Sequence, residues 1–260
     1  MISASARLPK ALLTAACMVA ASAANATLPI QQWQTTSGAR VLFVETHDLP
    51  MLDLAVDFPA GASRDAADKS GAASLTLGLM RTGTEALGED EISERLANVG
   101  ADMSGRFDMD RAGYGLRTLS SARERDEALG LLMAVLQKPT FPQQNFEREQ
   151  QRTLAGLREG ETKPEVLADR EFRHLLYGGH PYSLRGSGQV ETVAKLRRED
   201  VVDFYRQHFT AGDAVVSIIG DLTRSEAGAI AEQLTAGLSR RSRPLPALPP
   251  VARLETGQTS

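Results

Sequence analysis

Apolar residues alternate with polar ones in some stretches of the chain and recur with helical spacing in others, and these two rhythms divide it into strands and helices. Leu52, Leu54, Val56 and Phe58 alternate with Asp53, Ala55 and Asp57, which predicts a strand with one buried face. Before it, Arg40–Glu45 (RVLFVE) is a continuous apolar run, the pattern of a central strand, and His47–Pro50 is the turn between the two. Gly71–Arg81 reads as a short buried helix, with Ser70 as N-cap and Gly83 as the stop. A second helix starts at Asp90, runs through Ile92, Leu96 and Val99, and ends at Gly100. Met103, Gly105, Phe107 and Met109, then Ala112, Tyr114, Leu116 and Thr118, alternate on either side of Asp110-Arg111 and predict an antiparallel hairpin.

Four helices follow. One is core-facing through Ala128, Leu129, Leu132, Val135 and Leu136 and closes at Pro139; others open at Pro142 and Pro164, and the fourth carries Val201, Val202, Phe204 and Tyr205. Ala214–Ile219 is a buried strand, and Thr223 with Glu226 forms a capping box for a last helix ending near Leu238. The order predicts an α+β fold, a mixed β-sheet packed with helices.

Composition narrows this picture. The chain has 260 residues, 29 Lys and Arg against 33 Asp and Glu, and a net charge of -4. Its basic residues are not clustered, which excludes a nucleic-acid surface. Residues 1–26 read as a secretory signal peptide: Arg7 and Lys10, an apolar run Ala11–Ala21, then Ala24-Asn25-Ala26 before a start near Thr27. The expectation is therefore export to the periplasm, with no membrane span in the rest of the chain. Cys17, the one cysteine, offers lipoprotein anchoring as an alternative and otherwise leaves the exported chain without thiols. Residues 27–239 form the predicted domain, and 240–260, with Pro244, Pro246, Pro249 and Pro250, read as a stiff solvated linker.

The candidate chemistry is sparse. His174 and His180 are separated by a Gly-Gly turn and lack the spacing of a metal pair, and His47 and His208 stand apart. Ser74 lies in no Gly-x-Ser-x-Gly elbow. Asp108 and Asp110 fit a solvent-facing hairpin cap, and Arg111 and Arg117 fit strand charges at a sheet surface.

The stretch Gly61–Thr84 (GASRDAADKSGAASLTLGLMRTGT), which opens with an exposed charge cluster of Arg64, Asp65, Asp68 and Lys69, resembles the pitrilysin/insulinase family of inverted-motif zinc peptidases. In active members the frame Lys-Ser/Thr-Gly through Gly-Thr carries His-x-x-Glu-His on a helix. One turn of helix brings the two imidazoles to one zinc ion, and the Glu is general base on its water. Lys69-Ser70-Gly71 and Gly83-Thr84 keep that frame, and the metal positions fall on Ser74 and Gly78 with the base position on Leu77. The third ligand, a downstream Glu, falls on Gly156, with Glu159 and Glu161 close by. None of the four residues at those positions supplies a zinc donor or base, so the expectation is a degenerate, non-catalytic branch without cofactor.

The resemblance runs from Trp33 to about Leu238 through Leu49-Pro50-Met51, Ala60-Gly61, Gly100-Ala101, Arg117-Thr118-Leu119, Pro139-Thr140-Phe141-Pro142, His180-Pro181-Tyr182 and Gly220-Asp221. It implies the N-terminal half of such a protein, the half-domain fold shared with the metalloenzyme LuxS, and a linker to an absent second domain. It also implies a partner, a zinc-bearing homologous peptidase subunit, and the holding of peptides by strand addition. Two alternatives stand beside this: an active zinc endopeptidase with an unrecognised site, and a truncated stand-alone peptide-binding module.

Overall fold

The computed structural model describes residues 28–240 and 245–251. Residues 1–26, read as a signal peptide and including Cys17, lie outside the described residues.

The strands are β1 (Gln31–Gln34), β2 (Arg40–Glu45), β3 (Met51–Phe58), β4 (Asp102–Phe107), β5 (Ala112–Leu119) and β6 (Val215–Gly220). They form one sheet in the order β1-β2-β6-β3-β5-β4. Only β2 and β6 pair in parallel; the other neighbours are antiparallel. The helices are α1 (Ala72–Met80), α2 (Glu89–Asn98), α3 (Ala122–Gln137), α4 (Gln143–Gly160), α5 (Pro164–Tyr177), α6 (Val190–Val193), α7 (Arg198–His208) and α8 (Arg224–Ala236). The architecture is the α+β arrangement read from the pattern. Two elements are additional: β1, whose QQWQ is too short and polar to announce a strand, and the single turn α6.

Register explains the core. Leu54 on β3 stands opposite both Leu116 on β5 and Ile218 on β6, so alternate residues of the central strands share one face. Leu52, Val56, Phe58, Tyr114 and Val216 complete that face, and all are buried with residues of α1, α3, α7 and α8 in one apolar cluster. The opposite face presents Leu42, Val44, Asp53, Ala55, Ser217 and Ile219 along an open groove of about 660 Å³. There Arg117 donates through Nε and Nη2 to Asp53 at 2.7 and 2.9 Å, a cross-strand pair set by the β3–β5 register.

The start of α1 differs from its sequence reading. Gly71, not Ser70, is the N-cap, with φ 101°, and the helix receives its cap from Asp65. Asp65 Oδ2 accepts from Gly71 N–H and Oδ1 from Ala73 N–H, both at 2.8 Å. Asp65 is therefore buried rather than part of an exposed charge cluster, and Ser70 Oγ has no partner. Gly71 is required twice over: its φ is left-handed, and a Cβ there would stand 2.8 Å from Val193 Cγ2. Gly83 is pinned in a similar way, since a Cβ would meet Pro142 Cγ at 2.8 Å. Packing therefore demands the two glycines of the frame, whatever chemistry the helix between them carries.

Other ends follow the sequence. Thr223 and Glu226 form the reciprocal capping box of α8, with Glu226 Oε2 accepting from Thr223 N–H at 2.8 Å. Pro164 opens α5 at its first turn, whereas Pro142 sits one residue before α4, as its N-cap. Although α5 forms, none of its residues is buried: Phe172 is 61 % exposed, and Leu167 and Leu175 are also open. Among the described residues no helix is long and apolar enough to cross a membrane.

Candidate functional site

Helix α1 runs beneath the sheet edge formed by β4. Leu77 is buried, its carbonyl accepts from the Tyr114 hydroxyl, and its side chain lies 3.5 Å from where a Cβ on Gly105 would sit. Burial pushes the Tyr114 phenol far above its ordinary range, so it serves as a hydrogen-bond donor. Ser74 is half-buried and Gly78 is exposed, with open space around the position of a Cβ. Gly156 lies on α4, which packs against α1; it too is exposed, with open space where a side chain would begin. The geometry thus leaves room at Gly78 and Gly156, and the residues present fill neither.

These four positions carry a hydroxyl, an isobutyl group and two hydrogens. They contain no imidazole, thiolate or carboxylate, and that donor set does not fit zinc. Of the carboxylates near Gly156, Glu159 is engaged elsewhere. Glu159 pairs with Lys163 at 2.7 Å, and that bond holds its carboxyl below the ordinary range. Glu161 caps the C-terminal end of α4. Among the described residues no group of three His, Cys, Asp or Glu side chains is arranged to hold a metal ion.

The histidines have other tasks. His47 faces two carboxylates, Asp221 at 2.6 Å and Glu45 at 3.3 Å, and the bond to Asp221 foremost raises its pKa. His174 is exposed on α5, and His208 lies against Phe204 with ring centroids 4.3 Å apart. His180 has both ring nitrogens in use: Nδ1 accepts from Tyr182 N–H and Nε2 donates to the Pro249 carbonyl. Asp108 caps the β4–β5 turn, accepting from the N–H groups of Asp110 and Arg111, both at 2.7 Å.

Sequence reasoning missed Asp65 and the role of β4. Asp65 looked like one surface charge among four because its neighbours Asp68 and Lys69 are exposed. β4 is an edge strand: it pairs with β5 on one side and ends the sheet order on the other. Its residue Gly105 passes beside Leu77 of α1, whereas Ser104 and Arg106 line the groove on the opposite face of the sheet. Backbone groups along such an edge offer pairing to an extended chain.

Comparison with known proteins agrees with this architecture. The family "Insulinase (Peptidase family M16)" matches residues 40–183, and "Peptidase M16 inactive domain" matches 195–259. Both ranges enter one sheet, since β6 from the second lies between β2 and β3 from the first. The solved peptidase M16 inactive domain from Pseudomonas fluorescens is 35% identical, with TM-score 0.83 over 86% of this chain and 54% of that one. The non-peptidase homolog YmxG of Helicobacter pylori is 27% identical over 184 residues, 70% of this chain and 42% of the relative. The periplasmic protease PqqL from Escherichia coli shares the fold at 16% identity, TM-score 0.76, over 87% of this chain and 26% of that one. The chain thus spans about half the length of the curated relatives it matches, or less. These matches fit a catalytically inactive M16-like protein. The continuous match over residues 40–183 and the shared sheet place the chain in the insulinase family, peptidase family M16.

Proposed function

We propose that this chain is a non-catalytic M16 module that holds extended peptide along β4 and works with a zinc-bearing homologous peptidase. The observation that carries the reading is the state of α1. Its sequence keeps the Lys69–Thr84 frame, yet Ser74, Leu77, Gly78 and Gly156 offer no ligand or base to a zinc ion. The degenerate positions and the absence of a resident cofactor belong to this proposal. Zinc chemistry would come from the partner, and this chain would contribute the strand edge and the surface around Gly78.

The exported, periplasmic location read from residues 1–26 belongs to the same proposal, and the periplasmic relative PqqL supports it. So does the organisation into a domain over 27–239 followed by a linker over 240–260. The names inactive domain and non-peptidase homolog among the relatives support the loss of chemistry.

Affinity capture of the chain from an envelope extract, followed by mass spectrometry, tests the partnership. A homologue carrying His-x-x-Glu-His should be recovered, and peptide cleavage should require it. Zinc-dependent cleavage by the purified chain alone would overturn the reading in favour of an active endopeptidase. Peptide binding with no homologous partner would leave a stand-alone peptide-binding module.

A further inference from the structure

Three segments distant in sequence meet at the hairpin end of the sheet. In the turn after β3, the N–H groups of Gly61, Ala62 and Ser63 donate to the carbonyls of Asp110, Asp108 and Met109 at 3.3, 3.2 and 2.8 Å. The Tyr182 hydroxyl, in the loop after α5, donates to the Asp110 carboxylate at 2.6 Å. Together they present Arg64 beside a cluster of rings. The centroids of His180 and Tyr182 are 4.6 Å apart, and those of Tyr177 and Tyr182 are 5.7 Å apart.

Against this surface lies Leu245–Val251 (LPALPPV). Arg64 Nη1 donates to the Pro246 carbonyl at 2.6 Å, and His180 Nε2 donates to the Pro249 carbonyl at 2.8 Å. The tautomer of His180 is set locally. Nδ1 accepts from Tyr182 N–H at 3.1 Å, so the proton of the neutral ring sits on Nε2, where it meets the strap. Pro246, Ala247, Pro249 and Pro250 remain exposed, and these two hydrogen bonds tether the stretch to the domain.

We propose that Arg64, Tyr177, His180 and Tyr182 form a binding cradle for an extended, proline-rich chain, and that Leu245–Val251 is its occupant. Pro246 and Pro249 are three residues apart. In a polyproline II chain, with three residues per turn and a rise of about 3.1 Å per residue, carbonyls at that spacing face one side about 9 Å apart. Two fixed donors read that spacing. Proline suits the task for two further reasons. Its ring fixes φ near −65° before docking, so less backbone entropy is lost than in an ordinary chain. It also has no N–H, so a strap bound through its carbonyls leaves no donor stranded at those positions. Arg64 Nε is buried with no partner, and Nη1 makes the guanidinium's contact with the strap. The docked strap fixes the point at which the chain leaves the domain.

The test uses the full chain with Cys17→Ser and Ala247→Cys, so that a dye at the exposed position 247 is on the only thiol. Time-resolved anisotropy should show the dye moving mainly with the domain. His180→Ala should reduce the ratio of docked to free strap about fivefold, as expected for one lost hydrogen bond. Pro246→Ala with Pro249→Ala should also reduce it, with the thermal melt unchanged, because these positions lie outside the core. A free peptide of sequence PLPALPPV should compete and increase the mobile fraction. A dye that rotates freely in the parent chain, or strap variants that leave its anisotropy unchanged, would reduce the two contacts to incidental ones and overturn the proposal.

Discussion

Replacing Asp65 by Ala removes one side chain and strands two backbone donors. In the folded chain its carboxylate oxygens accept from Gly71 N–H and Ala73 N–H, each at 2.8 Å, at the head of the buried helix α1. Alanine reaches neither, and the site is closed to solvent. An unsatisfied buried donor costs about 1–3 kcal/mol, partly offset because a carboxyl group no longer has to be buried, so the net loss is about 2–4 kcal/mol. That is a large share of the roughly 5–15 kcal/mol that holds a domain together. With an m-value of about 3 kcal/mol/M in urea, the unfolding midpoint should fall by about 1 M with the slope unchanged. Urea titration followed by circular dichroism measures this directly. A shift under about 0.3 M would refute Asp65 as the cap that holds α1.

The same residue predicts a pH dependence. Burial raises the Asp65 pKa from 3.8 to about 7, against the two N–H donors that pull it down. The folded state then binds the proton more tightly than the unfolded state. Stability from this residue is full below pH 3.8 and is lost as pH rises to about 7. The destabilisation by Asp65→Ala should therefore be larger at pH 5 than at pH 8. A destabilisation that grows with pH would mean that the helix N-terminus and its donors outweigh burial.

Three further outcomes are expected. Ser74→His with Leu77→Glu and Gly78→His should neither bind zinc at one equivalent nor cleave peptide, because Gly156 still supplies no carboxylate; adding Gly156→Glu should create zinc binding by metal analysis, and full activity of the triple variant would show that the third ligand is elsewhere. Gly71→Ala should cost about 1–3 kcal/mol in urea unfolding, through its left-handed φ and the 2.8 Å approach to Val193 Cγ2. Arg224 lies over the Trp33 ring, its guanidinium carbon 3.1 Å from the centroid, so Arg224→Ala should change the emission of this sole tryptophan and lower stability by about 0.5–1 kcal/mol.

Short-range patterning was enough for most of the elements. The alternation of β3, the hairpin of β4 and β5 and the capping box of α8 are written in neighbouring residues, because side-chain direction repeats every two residues in a strand and a cap acts within one turn. The candidate positions Ser74, Leu77 and Gly78 rest on the Lys69–Thr84 frame and Gly156 on a downstream helix, and the structure puts them on α1 and α4. The sequence alone therefore determined the α+β class and most of the elements, β1 and α6 excepted. Tertiary structure decided everything that depends on partners far along the chain. β6 enters between β2 and β3 because its apolar face completes theirs, and no local signal announces that insertion. Asp65 turns inward to meet a helix end six to eight residues on, although its neighbours look like a solvated charge cluster. α5 shows helical apolar spacing yet buries nothing, and Leu245–Val251 lies against Arg64 and His180 although its composition reads as a free linker. Burial and hydrogen bonding are settled by what arrives from elsewhere in the chain, and the periodicity of a segment carries no record of its distant neighbours.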